Sequence, residues 1–302
     1  MQARPKPFLS LLAVALFAAS GLVWPAVAQD QRTTQTQRSS PGAADSAGGL
    51  SELRFVNPRS RIALPEPMPG PVLRFVIADD FPPFAYVDGA GRLAGVHPDL
   101  IRRLCRTLDL ACTVQARRFD QVLSAIDEDP NDLVLVAGLA VSPENADRLA
   151  FSLPYFRFAG RFVGRRTADE TEDWTERARI GVIENTTHEA FLNDGFASAT
   201  IETYEDQAAL LQALRRGDVS HIFSDAVDLA FWLASPASGN CCRFFGTPFF
   251  SNDYFGNGLT LAVPRRQPQL LQALNSALAR LESSGELEIV MLTAFPIDPF
   301  GP

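Results

Sequence analysis

From residue 72 onward the apolar positions fall into short runs alternating with helical stripes, whereas residues 29–71 show neither pattern. Leu73-Arg74-Phe75-Val76-Ile77 is a brief apolar run closed by Asp79 and Asp80, the signature of a buried strand. Pro98 suits a first helical turn, and Leu100, Ile101, Leu104 and Leu108 recur at helical spacing. Leu123 and Ile126 predict a second helix face before a strand over 133–136. Strand and helix alternate, so parallel pairing is the expectation. The order then returns: strand 180–183, helix 187–192, strand 200–202, helix 207–215 and strand 221–223. The chain comes back through 254–263 and closes with an amphipathic helix over 270–281 and a short one over 287–292.

The ends of the pattern carry an address. Arg4 and Lys6 precede an apolar run from Phe8 to Val23, and Ala26-Val27-Ala28 offers small-residue cleavage before Gln29. This predicts a secretory signal peptide over 1–28; the run falls short of the roughly 20 residues a spanning helix needs. No cysteine follows it to carry a lipid. Removing the leader takes away two positive charges and no negative one, so the net charge of −8 becomes −10. Such a balance repels phosphate backbones, and no nucleic-acid partner is expected. Residues 29–71, rich in Gln, Thr, Ser, Gly and Pro, hold too few apolar side chains to offset the entropy of ordering and predict a disordered linker. The remaining length suits two lobes better than one simple core.

The four cysteines fall in two pairs. In an unbroken helix, residues spaced like Cys105 and Cys112 stand about 10.5 Å apart, beyond the roughly 7 Å that a bridge between Cα atoms spans. A bridge therefore requires the helix from Pro98 to end near Leu108-Asp109; two buried free thiols are the other reading. Adjacent Cys241 and Cys242 admit a vicinal bridge, two thiols or one intermolecular bond. Two neighbouring cysteines and three scattered histidines make a poor ligand set, so no metal and no cofactor are expected.

Seven short words lie in register: Ile77-Ala78-Asp79-Asp80-Phe81-Pro82-Pro83-Phe84, Leu93-Ala94-Gly95-Val96-His97-Pro98-Asp99-Leu100, Leu133-Val134-Leu135-Val136-Ala137-Gly138, Phe151-Ser152-Leu153-Pro154-Tyr155, Ile180-Gly181-Val182-Ile183-Glu184-Asn185-Thr186-Thr187, Phe223-Ser224-Asp225, and Tyr254-Phe255-Gly256-Asn257-Gly258-Leu259. Together, over residues 72 to 300, the chain resembles the lysine/arginine/ornithine- and histidine-binding branch of the periplasmic amino-acid-binding proteins of bacterial ABC importers, within bacterial extracellular solute-binding family 3. The resemblance implies an α/β, two-lobed periplasmic-binding-protein type II fold. Two parallel or mixed sheets flanked by helices would be joined by a two-strand hinge, with crossings near 159–164 and 255–261. Lobe 1 would take residues 72–162 and 250–302, and lobe 2 residues 163–249. It also implies a periplasmic monomer that binds a small molecule and meets an inner-membrane ABC permease, and a Cys105–Cys112 disulfide.

Ligands of open α/β sheets sit outside the carboxyl ends of strands, where helix N-termini offer N–H groups. That rule selects residues 79–81, 137–140, 183–187 and 224–225, and the resemblance places its cleft at the same four. Phe81 matches an aromatic that stacks on a cationic side chain, or else is a core ring beside a proline turn. Asp79 and Asp80 are candidates for the distal charge. Asp225 matches the carboxylate that takes an α-ammonium, though an N-cap explains it equally. Thr186 and Thr187 open a helix where a carboxylate could be received, and His188 matches a specificity position; plain capping and a solvated histidine are the alternatives.

One departure stands out. The resemblance implies an arginine gripping the ligand's carboxylate, yet Ser142-Pro143-Glu144-Asn145-Ala146-Asp147-Arg148 puts Asn145 in its position. Gly138 and Ala140 stand where hydroxyl side chains are often found. Arg148, a turn further on, is an imperfect substitute. The expected ligand is an amino acid, an amino-acid derivative or a cationic amine, captured by hinge closure for import. A ligand-free accessory or sensory protein on the same fold is the main alternative. A cyclohexadienyl dehydratase-like enzyme is the lesser one: Glu184 could serve as an acid but has no paired base, and hydrolase, zinc and phosphate-loop motifs are absent from the sequence. No catalytic residue is expected.

Overall fold

The computed structural model describes residues 72–125, 134–168 and 174–301. The chain opens with β1 (Val72–Ala78), whose Leu73, Phe75 and Ile77 enter one apolar cluster and Val76 and Ala78 another. Burial on both faces is what a central parallel strand requires. A small sheet follows, β2 (Asp80–Phe81), β3 (Ala85–Val87) and β4 (Leu93–Ala94), joined through a cis Pro82–Pro83 bond. Helix α1 (Val96–Leu108) buries Leu100, Ile101, Leu104 and Leu108 against the first cluster.

Asp109, with φ 54°, ends α1 in the left-handed conformation and turns the chain into β5 (Ala111–Arg117). The helix therefore stops where a bridge demanded, and Cys105 and Cys112 are bonded with Cα atoms 6.2 Å apart. After a 3-10 turn at Phe119–Gln121, the expected helix face differs: Val122 and Ala125 are buried while Leu123 is exposed. Ile126 and Leu133 lie outside the described residues. β6 (Val134–Leu139) and β7 (Leu149–Phe151) come next.

Strand β8 (Gly160–Arg165) begins the second sheet, followed by β9 (Arg179–Ile183), α2 (Thr187–Gly195), β10 (Thr200–Tyr204), α3 (Gln207–Arg216), β11 (His221–Asp225), α4 (Ala226–Ala234) and β12 (Cys242–Phe249). Asp206 caps α3 by accepting from the Ala209 N–H at 2.8 Å, and Gly217, at φ 83°, turns its carboxyl end. The chain returns through β13 (Thr260–Pro264), α5 (Pro268–Ser283) and α6 (Glu286–Ala294).

Both sheets have five strands, ordered β5-β1-β6-β13-β7 and β10-β9-β11-β8-β12. The expected parallel pairs form, β1 with β5 and β6, and β9 with β10 and β11. The returning strands are antiparallel: β13 to β6 and β7, and β8 to β11 and β12. Each sheet carries apolar clusters of its own. No described helix is long and apolar enough to cross a membrane.

The chain passes between sheets at residues 152–159 and 250–259, where Phe156 pairs with Leu259 as an isolated antiparallel bridge. The first crossing thus lies earlier than the expected 159–164, since all of Gly160–Arg165 is already a ladder strand of the second sheet. Apolar residues alone did not separate these positions because a crossing and an inner strand are both extended and buried. Cys241 and Cys242 are bonded to each other at the start of β12.

Candidate ligand-binding site

One wall is built at the carboxyl ends of β1, β5 and β6. Asp79 extends the β1 ladder, its N–H donating to the Arg117 carbonyl at 2.9 Å. Asp80 is committed locally: its Oδ1 accepts from the Phe119 N–H at 2.9 Å. That bond presents Phe119, half of whose surface is exposed at 50 %, beside Phe81 with ring centroids 5.5 Å apart. Phe81 itself stacks on buried Phe84 at 5.0 Å. The ring pair was only half legible in the sequence: Phe119 follows a strand end 38 positions beyond Phe81, and no local pattern marks it.

Gly138 has a structural demand of its own. At φ +90° a Cβ would also fall 2.4 Å from His97 Cε1. His97 is wholly buried and 2.8 Å from the Tyr155 hydroxyl, and burial pushes its pKa down to about 3, so it stays neutral. This pair fixes the backbone that turns out of β6. Ala140 is exposed, and its carbonyl accepts from Asn145 Nδ2 at 3.0 Å. Asn145, only 8 % exposed, uses its other end to accept from the Ser142 N–H at 2.9 Å. Both ends of the Asn145 amide therefore close the 140–145 loop.

The second group of candidate residues starts from the second sheet. After β9, Asn185 adopts φ 58°, and Thr186 caps α2, its hydroxyl donating to the Ile183 carbonyl at 2.7 Å and accepting from Glu189 N–H at 3.3 Å. Glu189 reaches back to the Asn185 N–H at 2.7 Å. Thr187 is the exposed first helical residue. His188 stacks on Phe255 at 4.9 Å and lies 5.7 Å from Phe223; burial pushes its pKa down to about 4. A cleft-side histidine here is neutral and ring-packed rather than solvated.

Asp225 ends β11 and caps α4, accepting from the Val227 and Asp228 N–H groups at 2.8 and 3.2 Å, both through Oδ1. Oδ2 makes no hydrogen bond with another described residue, and the carboxyl is half-buried. Burial, with the Asp228 carboxylate adding to it, pushes its pKa up to about 6 despite those two N–H donors. Capping and ligand binding are thus compatible at one carboxylate, because each uses a different oxygen.

The walls converge on one hinge. On one side rings run from Phe119 through Phe81 and Phe84 to Phe156 and Phe158. On the other, Asp225 lies opposite Gly160 in the β11–β8 ladder, and Ala226 N–H donates to the Ala159 carbonyl at 2.9 Å. A Cβ on Gly160 would fall 2.2 Å from the Phe223 ring and 2.8 Å from Phe255, so the hinge passes beneath the rings that support His188. The arrangement offers aromatic faces and one carboxylate whose second oxygen has no hydrogen bond among the described residues, beside the two crossings. Glu184 is exposed at the turn after β9, with its N–H bound to the Tyr204 carbonyl at 2.9 Å.

Sequence and structure comparisons identify the family and the fold. Residues 73–294 match the model for bacterial extracellular solute-binding proteins, family 3. The chain is 28 % identical over 218 residues to the putative ABC transporter arginine-binding protein 2 of Escherichia coli K12, covering 72 % of this chain and 88 % of that one. It is 23 % identical over 246 residues to the lysine/arginine/ornithine-binding periplasmic protein of the same strain, covering 80 % and 92 %. Among solved structures, substrate binding domain 2 of Lactococcus lactis GlnP in an open conformation superposes with a TM-score of 0.62 at 16 % identity, covering 78 % of this chain and 99 % of that one, which establishes shared fold. The chain belongs to the bacterial extracellular solute-binding proteins, family 3.

Proposed function

We propose that this protein captures a small cationic solute between its lobes in the periplasm and delivers it to an inner-membrane ABC permease. The observation that carries the reading is Asp225: a half-buried carboxylate with one oxygen uncommitted, at the carboxyl end of a strand beside the hinge. An ammonium or guanidinium would pair with that oxygen while Phe81 and Phe119 cover its apolar stem. Relatives named for arginine, histidine, and lysine, arginine and ornithine support an amino-acid or amine ligand. Thr186, Thr187 and His188 line the facing side, with Asp79 beside the aromatic pair. Asp80 and Asn145 shape their loops through their own hydrogen bonds and contribute to the site indirectly.

Asn145 also bears on the ligand's other end. It stands where the resemblance places a carboxylate-gripping arginine, and its amide is spent on the Ala140 and Ser142 backbone. A charge-assisted bidentate contact contributes on the order of 2–3 kcal/mol. Its loss weakens a free α-carboxylate by about a hundredfold, which favours an amine or a derivative without that group.

Calorimetry with lysine, arginine, histidine, putrescine and spermidine tests both levels. Binding of at least one, tighter for an amine than for the amino acids, is the expected result. Tight lysine or arginine binding with no amine binding overturns the carboxylate argument alone. Silence from every cation overturns the Asp225 reading and favours a ligand-free accessory role.

A further inference from the structure

Besides the two covalent crossings and the contacts of α4, the segment after α6 also reaches from one lobe to the other. After α6 the chain runs on as residues 295–301, and its rings are laid along both crossings. Phe295 lies 5.8 Å from Phe156, and Phe300, only 2 % exposed, is 5.6 Å from Phe156 of the first crossing and 5.7 Å from Phe250 of the second. The tail is tightly formed: the Phe300 N–H donates to Asp298 Oδ1 at 2.9 Å, and a Cβ at Gly301 would fall 2.9 Å from Asp298 Oδ2.

Its far anchor is Arg161 in β8, a wholly buried side chain. Nη1 donates to the Pro299 carbonyl at 2.8 Å and Nη2 to the Gly246 carbonyl at 3.3 Å, and the guanidinium lies 4.0 Å from the centroid of the Phe244 ring. Nε has no partner among the described residues. Desolvation lowers the pKa to about 10, opposed by the Asp298 charge, so the group remains cationic at neutral pH. A buried cation held mainly by neutral carbonyls is costly, and a neutral side chain would fill the space. What the guanidinium supplies, and an apolar side chain cannot, is a fork joining the tail's carbonyl to one from β12.

We propose that Arg161 is a positioning residue for lobe closure, clamping the C-terminal tail across the hinge and holding the lobes in the arrangement seen here. The proposal rests on the two-lobed capture mechanism above. Any contact stronger in one arrangement than in another biases the equilibrium between them, and ligand must supply the difference. Phe295 packs on Phe156 and reaches Phe231 of α4 at 6.4 Å, while Pro299 is tied to β8 through Arg161, so a rotation at residues 156–160 has to alter the tail's contacts with at least one lobe.

The test needs no ligand at its first step. Spin labels on Gln272→Cys and Gln212→Cys, both exposed positions in α5 and α3, report the distance between lobes. In the ligand-free protein, Arg161→Met is expected to shift or broaden that distance distribution, Phe300→Leu to act in the same direction, and Arg161→Lys to fall between Arg161→Met and the wild type. Affinity for arginine or putrescine, whichever binds the wild type, should change about threefold or more in Arg161→Met. Should Arg161→Met fail to fold, the other two variants carry the comparison. Distributions that superimpose across all folded variants overturn the clamp, and they do so whether or not any cation binds. A shifted distribution with no cation bound would instead keep the clamp and remove the cationic ligand.

Discussion

A carboxyl whose pKa is pushed up to about 6 is a group the folded protein prefers neutral. In the unfolded chain an aspartate titrates near 3.9, so between roughly pH 4 and 6 the folded state binds the proton more tightly. For Asp225 the sign follows: ligand-free stability declines as pH rises through that window, and the full penalty is present above pH 6. A bound ammonium reverses the preference, because it pairs with the ionised form. Cation affinity is therefore expected to fall about tenfold for each pH unit below 6, which calorimetry at pH 7, 6 and 5 will show; a flat profile would remove Asp225 from the binding step. Asp225→Asn keeps an acceptor for the α4 cap and abolishes the charge. Its ligand-free melting temperature at pH 7 should equal or exceed that of the wild type, while cation binding weakens by tenfold to a hundredfold, the equivalent of about 1.5–3 kcal/mol for a charged hydrogen bond. Across the cleft, Phe119→Ala should weaken binding by about threefold to tenfold with little effect on melting, since half of the ring is already in water.

Elements were legible where pattern and end signals agreed, as in α1, whose apolar stripe, Pro98 and αL stop at Asp109 all point one way. The same agreement made the Cys105–Cys112 bridge geometrically possible before any coordinates. Legibility failed where a residue's partner is distant in sequence: the Asp80 bond to Phe119, the spending of Asn145 on its own loop and the Arg161 grip on Pro299 leave no periodic trace. The lobe boundary near 160 was missed for a related reason, since extended buried backbone reads alike in a crossing and in β8. The two disulfides differ in what they do for their elements. Closing the short loop between Cys105 and Cys112 removes chain entropy worth about 2–3 kcal/mol, whereas Cys241 and Cys242 enclose no loop. Cys105→Ser with Cys112→Ser is expected to lower the melting temperature by about 5–10 °C, at 2–4 °C per kcal/mol for a chain of this size. The paired change at 241 and 242 should cost far less; equal losses in scanning calorimetry would contradict the loop-entropy account.

At the scale of the whole molecule, the described residues join the two sheets at the two crossings, at α4, whose Ala226 and Val227 enter the first sheet's apolar cluster and whose Phe231 ring lies 6.4 Å from Phe295, and at the C-terminal tail. Such a junction concentrates motion, because each core is packed while the residues between them can absorb changes in φ and ψ. Of the residues proposed above to hold the ligand, Phe81 and Phe119 belong to one body and Thr187, His188 and Asp225 to the other, so on that proposal capture and closure are one event. Ligand that binds the folded protein alone also stabilises it by mass action, by about 2.7 kcal/mol at a hundred times Kd. Addition of the best-binding cation should thus reduce the radius of gyration in solution scattering and raise the melting temperature together, and Asp225→Asn should abolish both at the same ligand concentration. A rise in melting temperature without compaction would show a ligand held by one lobe and would overturn the proposed sharing of the site across the hinge.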